Sequence, residues 1–171
     1  MPNGKGNEMK ETTGHVARSP DIEARREVTR AGRVGSYGYV SLLGLHPLDP
    51  IKIFKRVEKG LAFQALERFQ KNTGLSTSEL ADVIVIKMRT LHRRKEQGRL
   101  EPEESDRLMR VSRIFGMALE LFEGNTDAAR HWLFTRQRAL GGERPIIFAK
   151  TDLGAREVEA LIDRLEHGVL T

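Results

Sequence analysis

Lys87, Arg89, Arg93, Arg94, Lys95 and Arg99 crowd into one short stretch of the chain and are opposed there only by Glu96. Side chains of this kind bind anions. A guanidinium presents a planar fork that matches the O6/N7 edge of guanine, whereas an ammonium is a point charge suited to phosphate. Read as a helix, "MRTLHRRKEQG" places Arg89 and Thr90 at its start and Arg93 one turn on, toward base edges or phosphates, with Lys87 on phosphate. Arg94 completes this DNA-contact set. It falls on the side of Leu91, so a structural pair with Glu103 or Glu104 is also open to it. The competing account of any charge run is a solvated helix face. The segment in front of it decides between the two.

A second set of polar residues lies near the end, in "AREVEALIDRLEHGVLT". Arg156, Glu159, Asp163 and Arg164 recur on the polar side of a helical pattern, and the chain then finishes on His167, Gly168, Val169, Leu170 and Thr171. Chain ends usually fray into water as polar tails. Two aliphatic side chains beside a terminal carboxylate leave two readings open. Either the tail folds back on its own domain, or a partner receives it.

Other chemistries find little support. Cys is absent, so there is no disulfide framework, thiolate metal site or Cys nucleophile. The five His residues are dispersed, none at ligand spacing to another. "GRVGSYG" spaces its glycines wrongly for a dinucleotide fingerprint. No cofactor, metal or enzymatic activity is expected. The net charge of +5 and pI of about 9.7 agree with an anionic partner. No long apolar run or signal-peptide pattern is present, which predicts a cytoplasmic protein without a membrane partner.

The elements that must position these residues are all helical. Met1 to about Gly35 is polar and shows no sustained apolar period. It reads as a flexible basic segment, dispensable for any partner contact at the other end, although Asp21 to Val34 could form a short basic helix. Order is expected from "YVSLLGLHPLDP", followed by an apolar cluster of Ile51, Ile53, Phe54 and Val57 closed by Gly60. Ala62, Leu66 and Phe69 mark one helix face, with Gly74 as its terminator. Ser76 and Glu79 form a capping-box pattern at the start of the next helix, whose buried face is Leu80, Val83 and Ile84. A break near "VIK" then leads into the basic helix, which Gly98 ends. A capped support helix, a tight break and a short basic helix make a helix-turn-helix pattern. This favours DNA over the solvated face.

Pro102 suits the first turn of a long helix through Leu108, Val111, Phe115, Ala118, Leu119 and Phe122, stopped by Gly124. Asn125 or Thr126 can cap a helix carrying Ala129, Trp132 and Leu133. "LGGERP" is a turn, Pro145 can open a short helix, and Thr151 can cap the last one, with Ala155, Val158, Ile162 and Leu165 on one face. Trp132 reads as core. Gly154 reads as a position where a larger side chain would strike a neighbour.

"GLSTSELADVI", "RTLHRRKEQGRLEPEESDRLMRV" and "ALELF" together resemble the central region of Xre-type antitoxins of the Xre/MbcA/ParS group. "AARHWLFTRQRALGGERPIIFAKTDLGAREVEALIDRLEHGV" resembles their C-terminal toxin-binding domain. The family often has Pro after its Trp-Leu helix, where this chain has "TRQRAL", and Tyr before the final Gly-Val, where it has His167. The resemblance spans about Ile51 to Leu170 and implies an all-α chain in three parts: a flexible basic segment over 1–48, a helix-turn-helix domain over 49–124 and a small helical toxin-binding domain over 125–171. It implies an antitoxin of a type II toxin–antitoxin system that inhibits a RES-domain, NAD+-consuming toxin by direct binding and represses its own operon by binding promoter DNA as a homodimer. Toxin contacts would then fall to Arg156, Glu159, Asp163, Arg164, His167, Gly168, Val169, Leu170 and Thr171, with the tail reaching the NAD+ pocket. The alternative is a stand-alone helix-turn-helix repressor whose C-terminal region dimerises or senses a ligand.

Overall fold

A computed structural model describes residues 37–46 and 49–168. The N-terminal segment up to residue 36 and the tail residues Val169, Leu170 and Thr171 lie outside the described residues. Among the described residues the chain is helical, with two isolated backbone bridges and no strand. A 3₁₀ turn over Tyr37–Leu43 leads into α1 (Pro50–Glu58), α2 (Phe63–Thr73), α3 (Thr77–Val83), α4 (Met88–Gln97) and α5 (Pro102–Leu121). After these come α6 (Thr126–Phe134), a 3₁₀ turn at Arg138–Leu140, α7 (Pro145–Phe148) and α8 (Asp152–Glu166).

The centre of the molecule is α5. Leu108, Val111, Ile114, Phe115, Ala118 and Leu119 are all buried, and so are Ser105 and Ser112. A helix apolar on more than one face must be covered from more than one side. The opening 3₁₀ turn, α1 and α2 cover part of α5, while α6 and α8 cover more of it. Phe69 of α2 meets Phe115 edge-on, with ring centroids 6.0 Å apart. Trp132 of α6 packs beside Phe122 with centroids 6.3 Å apart, a half-buried core position.

Helix ends follow local chemistry. The Asp49 carboxylate accepts from the Ile51 N–H and starts α1, while Pro102 opens α5 at a position whose N–H needs no partner. Asn125, rather than Thr126, caps α6 by accepting from the Ala128 N–H at 3.0 Å. Thr151 Oγ1 caps α8 through the Gly154 N–H at 3.0 Å. The expected Ile51–Val57 cluster forms only in part. Ile53 is buried and Val57 half-buried, but Ile51 and Phe54 are each 61% exposed. Ile53 alone lies squarely on the face of α1 that meets the core.

Gly154 lies where α8 begins, against the end of α7. A Cβ there would fall 1.9 Å from the Phe148 carbonyl oxygen, a backbone atom that cannot swing aside. Gly154→Ala should therefore destabilise the chain by about 1–3 kcal/mol through overpacking. A lowered thermal midpoint is the expected result; an unchanged one would show that α7 and α8 separate freely.

Candidate functional site

The support helix α3 is closed at its start by a full capping box. Ser76 Oγ accepts from the Glu79 N–H, and Glu79 Oε2 accepts from the Ser76 N–H at 2.8 Å. Arg130 of α6 reaches the same carboxylate at 3.1 Å, tying α3 to α6. The Ser76 backbone N–H holds the Glu79 carboxyl below the usual carboxylate range; burial opposes this, and the Ser76 hydroxyl and Arg130 assist.

The break between α3 and α4 is sharper than its sequence suggests. The Ile86 N–H donates to the Ala81 carbonyl at 2.9 Å and the Val85 N–H to the Asp82 carbonyl at 3.2 Å. These two bonds are a Schellman ending, which puts the residue after the cap in the left-handed region. Glycine normally occupies it; here it is Val85, at φ 55°. A β-branched residue is strained there by about 1–2 kcal/mol. Arg107 of α5 donates from Nε to the Ile84 carbonyl at 2.7 Å and secures the turn.

α4 is then held against α5 by a buried ion pair. Arg94 Nε donates to Glu104 at 2.8 Å, and its Nη1 reaches Glu101 at 3.0 Å and Gln97 at 2.9 Å. The Arg94 and Glu104 side chains are only 10% and 8% exposed. Glu104 also accepts from the Glu101 N–H, so one carboxylate both pairs with α4 and caps α5. Removing one partner of such a pair costs on the order of 3–5 kcal/mol, because the other is left buried and alone.

This pairing sorts the six cations. Arg94 faces inward, Lys95 pairs with Glu67 at 3.2 Å, and Arg99 donates to the Lys59 and Gly60 carbonyls. Lys87, Arg89 and Arg93 are exposed and have no carboxylate partner among the described residues; Thr90 beside them is half-buried. The three open cations run from Lys87, the residue before α4, to Arg93 in its second turn, and the unpaired N–H groups of the first turn add positive potential beside them. Of the two readings that the sequence leaves open to Arg94, a DNA contact and a structural pair with Glu103 or Glu104, the pair with Glu104 is formed. The Arg94 guanidinium is committed to α5, which makes it the residue that positions the others.

On α8 the structure separates residues that look alike in sequence. Glu159 is only 22% exposed and its carboxylate lies against Arg113 of α5, so it fastens α8 to the core. Arg156, Asp163, Arg164 and His167 are exposed; Arg156 pairs along the helix with Asp152, and His167 Nδ1 lies 2.8 Å from the Asp163 carbonyl. Asp163, Glu166 and His167 bring ligating atoms within 4.8 Å of one another, all on exposed side chains. Gly168 is left-handed at φ 67°, which turns the chain away from the helix axis. Leu153, missing from the sequence-based set, is 73% exposed on the first turn. Its signal was present: it falls off the face defined by Ala155, Val158 and Ile162 and lies seven residues from the exposed Ala160.

The lowered Glu79 carboxyl has a pH signature. A carboxyl depressed in the folded state contributes stability above its unfolded value, and loses it as pH falls through the folded one. Glu79→Ala should cost about 1 kcal/mol near neutral pH. The gap in melting temperature between the native chain and this variant should close as pH falls below the usual carboxylate range. A gap that stays constant with pH would mean that the carboxylate charge contributes nothing.

Residues 53–113 match the family model described as the antitoxin Xre-like helix-turn-helix domain. Residues 117–168 match that of the antitoxin Xre/MbcA/ParS C-terminal toxin-binding domain. The chain is 34% identical over 116 residues to "Antitoxin Xre" of Yersinia enterocolitica serotype O:8 / biotype 1B, covering 67% of this chain and 78% of that protein. It is 29% identical over 116 residues to "Antitoxin Xre" of Photorhabdus laumondii subsp. laumondii, with the same coverage of each. It is 30% identical over 118 residues to "Antitoxin Xre" of Pseudomonas putida, covering 68% of this chain and 72% of that protein. With a helix-turn-helix half and a toxin-binding half both matched in order on one helical core, the chain belongs to the Xre/MbcA/ParS family of antitoxins.

Proposed function

We propose that this antitoxin neutralises a RES-domain, NAD+-consuming toxin by direct binding near its active site, and that as a homodimer it represses its own operon as part of a cytoplasmic type II system. The observation that carries the reading is that each half keeps one outward face whose charged side chains are not tied to the core: among the described residues Lys87, Arg89 and Arg93 have no carboxylate partner, and the ion pairs of Arg156 and His167 run only along α8 itself. Lys87, Arg89 and Arg93 form the first; the outer stripe of α8 forms the second. The RES pairing and the NAD+ chemistry rest on the family resemblance. Residues 49–124 are proposed as the DNA-binding domain and 125–171 as the toxin-binding domain, sharing α5 as common core. No described helix is long and apolar enough to cross a membrane.

On the DNA side, Arg89, Thr90 and Arg93 would meet base edges or phosphates, Lys87 phosphate, and Arg94 would hold the helix at its angle. Arg89→Ala with Arg93→Ala should cost roughly 1–3 kcal/mol for each base that a guanidinium no longer reads, and native affinity should fall steeply with salt. A gel-shift titration on the operon promoter reads both. Unchanged affinity in the double variant would remove α4 from the interface.

On the toxin side, Leu153, Arg156, Asp163, Arg164 and His167 would line the docking face, with Gly168 turning Val169, Leu170 and Thr171 toward the toxin's NAD+ pocket. Burial of an aliphatic side chain is worth up to about 1.5–3 kcal/mol. Deleting Gly168 to Thr171 should therefore weaken the complex by about 10²- to 10⁴-fold at most, and Leu153→Asp by about 10-fold. Both variants should melt as the native chain does, and toxin NAD+ consumption gives the readout. Full inhibition by the truncated chain would sink tail insertion; inhibition lost together with stability would mean that the tail packs on its own domain.

A further inference from the structure

A groove of about 320 Å³ lies at the start of α2, between the end of α1 and the loop after the opening 3₁₀ turn. Its cationic lining is Arg56, Lys59, Arg68 and Arg99, and no acidic side chain lines it. In sequence Arg99 belongs to the basic run, and the other three fall in no motif. Among the described residues none of the four has a carboxylate partner, and the acid nearest Arg68 on α2, Glu67, is paired with Lys95.

Two of the three guanidiniums are held in place by neutral groups. Arg68 Nη1 donates to the Gly44 carbonyl at 2.9 Å. Arg99 Nη1 donates to the Lys59 and Gly60 carbonyls at 3.0 and 2.8 Å. Gly44, at φ 65°, leaves the room that Arg68 occupies: a Cβ there would fall 2.2 Å from Arg68 Cδ. Backbone carbonyls orient these side chains without cancelling their charge, and each guanidinium keeps further N–H donors free. Arg56 and Lys59 add two exposed cations from the end of α1 and the residue after it. Four like charges around one concavity repel one another, and apolar walls strengthen their joint field. The buried side chains of Leu43 and Leu61 supply part of those walls. The volume falls at the small end of the range of about 300–1,000 Å³ typical of ligand pockets.

We propose that this groove is a phosphate-binding site, taking the phosphate of a mononucleotide-sized ester with its body against the apolar wall. Arginine forks bind phosphate oxygens in pairs, and lysine adds a movable point charge. The same chemistry is offered by a free nucleotide and by the backbone of bound DNA. Gly98 and Arg99 link the site to the end of α4: the Phe63 N–H donates to the Gly98 carbonyl, and the Leu100 N–H to that of Leu61. An occupied groove would therefore bear on the helix proposed to contact DNA.

The test compares two double variants of the full-length chain, each removing two charges from the α1 region. Arg56→Gln with Lys59→Gln alters the groove, whereas Lys52→Gln with Lys55→Gln alters exposed positions outside it. Adenosine monophosphate and inorganic phosphate are titrated at fixed ionic strength by calorimetry, with amide shifts of Gly44 and Gly60 as a local readout. The promoter is titrated in parallel. For a free phosphate ester, adenosine monophosphate binds saturably and the groove variant weakens it at least about tenfold, while the control does not. For a DNA phosphate, neither small probe saturates, and the groove variant alone lowers promoter affinity and flattens its salt dependence. Arg56→Lys with Lys59→Arg should restore binding in either case. Equal behaviour of the groove and control variants toward every probe overturns the site. The promoter arm rests on the DNA-binding reading of α4, which the Arg89/Arg93 variant tests separately; the free-phosphate arm does not.

Discussion

The fold depends on the burial of α5. Its twenty residues carry apolar side chains around more of the helix than one neighbour can cover, so elements from both ends of the chain must close on it. The two family-matched halves meet on one core for that reason, and their outer faces are the surfaces left over. A change that loosens α5 would reach both functions at once, whereas the faces themselves can vary independently.

Burial also explains why residues of one type do different work. Arg94 and Arg93 are neighbours in sequence, yet one is locked to Glu104 and the other is free. A 3.6-residue repeat turns successive side chains by about 100°, so a single step carries a guanidinium from solvent to core. A buried ion pair is weak evidence for net stability but fixes geometry well. Here it sets the angle of α4, because the Glu104 carboxylate is itself fixed by the Glu101 N–H. Glu159 and Asp163 on α8 show the same division: the first meets Arg113 of α5, the second is exposed beside His167 of its own helix.

Much of this was legible in the sequence because it is local. The capping box at Ser76 and Glu79, the glycine ends at Gly74, Gly98 and Gly168, the proline start of α5 and the Thr151 cap all depend on residues within a turn of each other. The long apolar repeat of α5 also announced itself. The Schellman ending at Val85 did not, since its residue contradicts the preference for glycine and only the bonds of Ile86 and Val85 reveal it. The exposure of Ile51 and Phe54 was equally hidden, because an apolar residue in an amphipathic pattern reads as core until its neighbours are placed.

The sequence by itself determined the helices, their order, and the concentration of positive charge in α4, since propensity, capping and periodicity act over a few residues. Only the tertiary structure decided which charges remain available. Arg94 is withdrawn by a residue ten positions away, Glu79 is shared with Arg130 across 51 positions, and Arg99 is turned toward carbonyls about 40 positions earlier. Arg56, Lys59, Arg68 and Arg99 come from separate parts of the chain and have no common spacing. Their convergence results from packing α1, α2 and the exit of α4 together, a long-range arrangement that no local rule encodes.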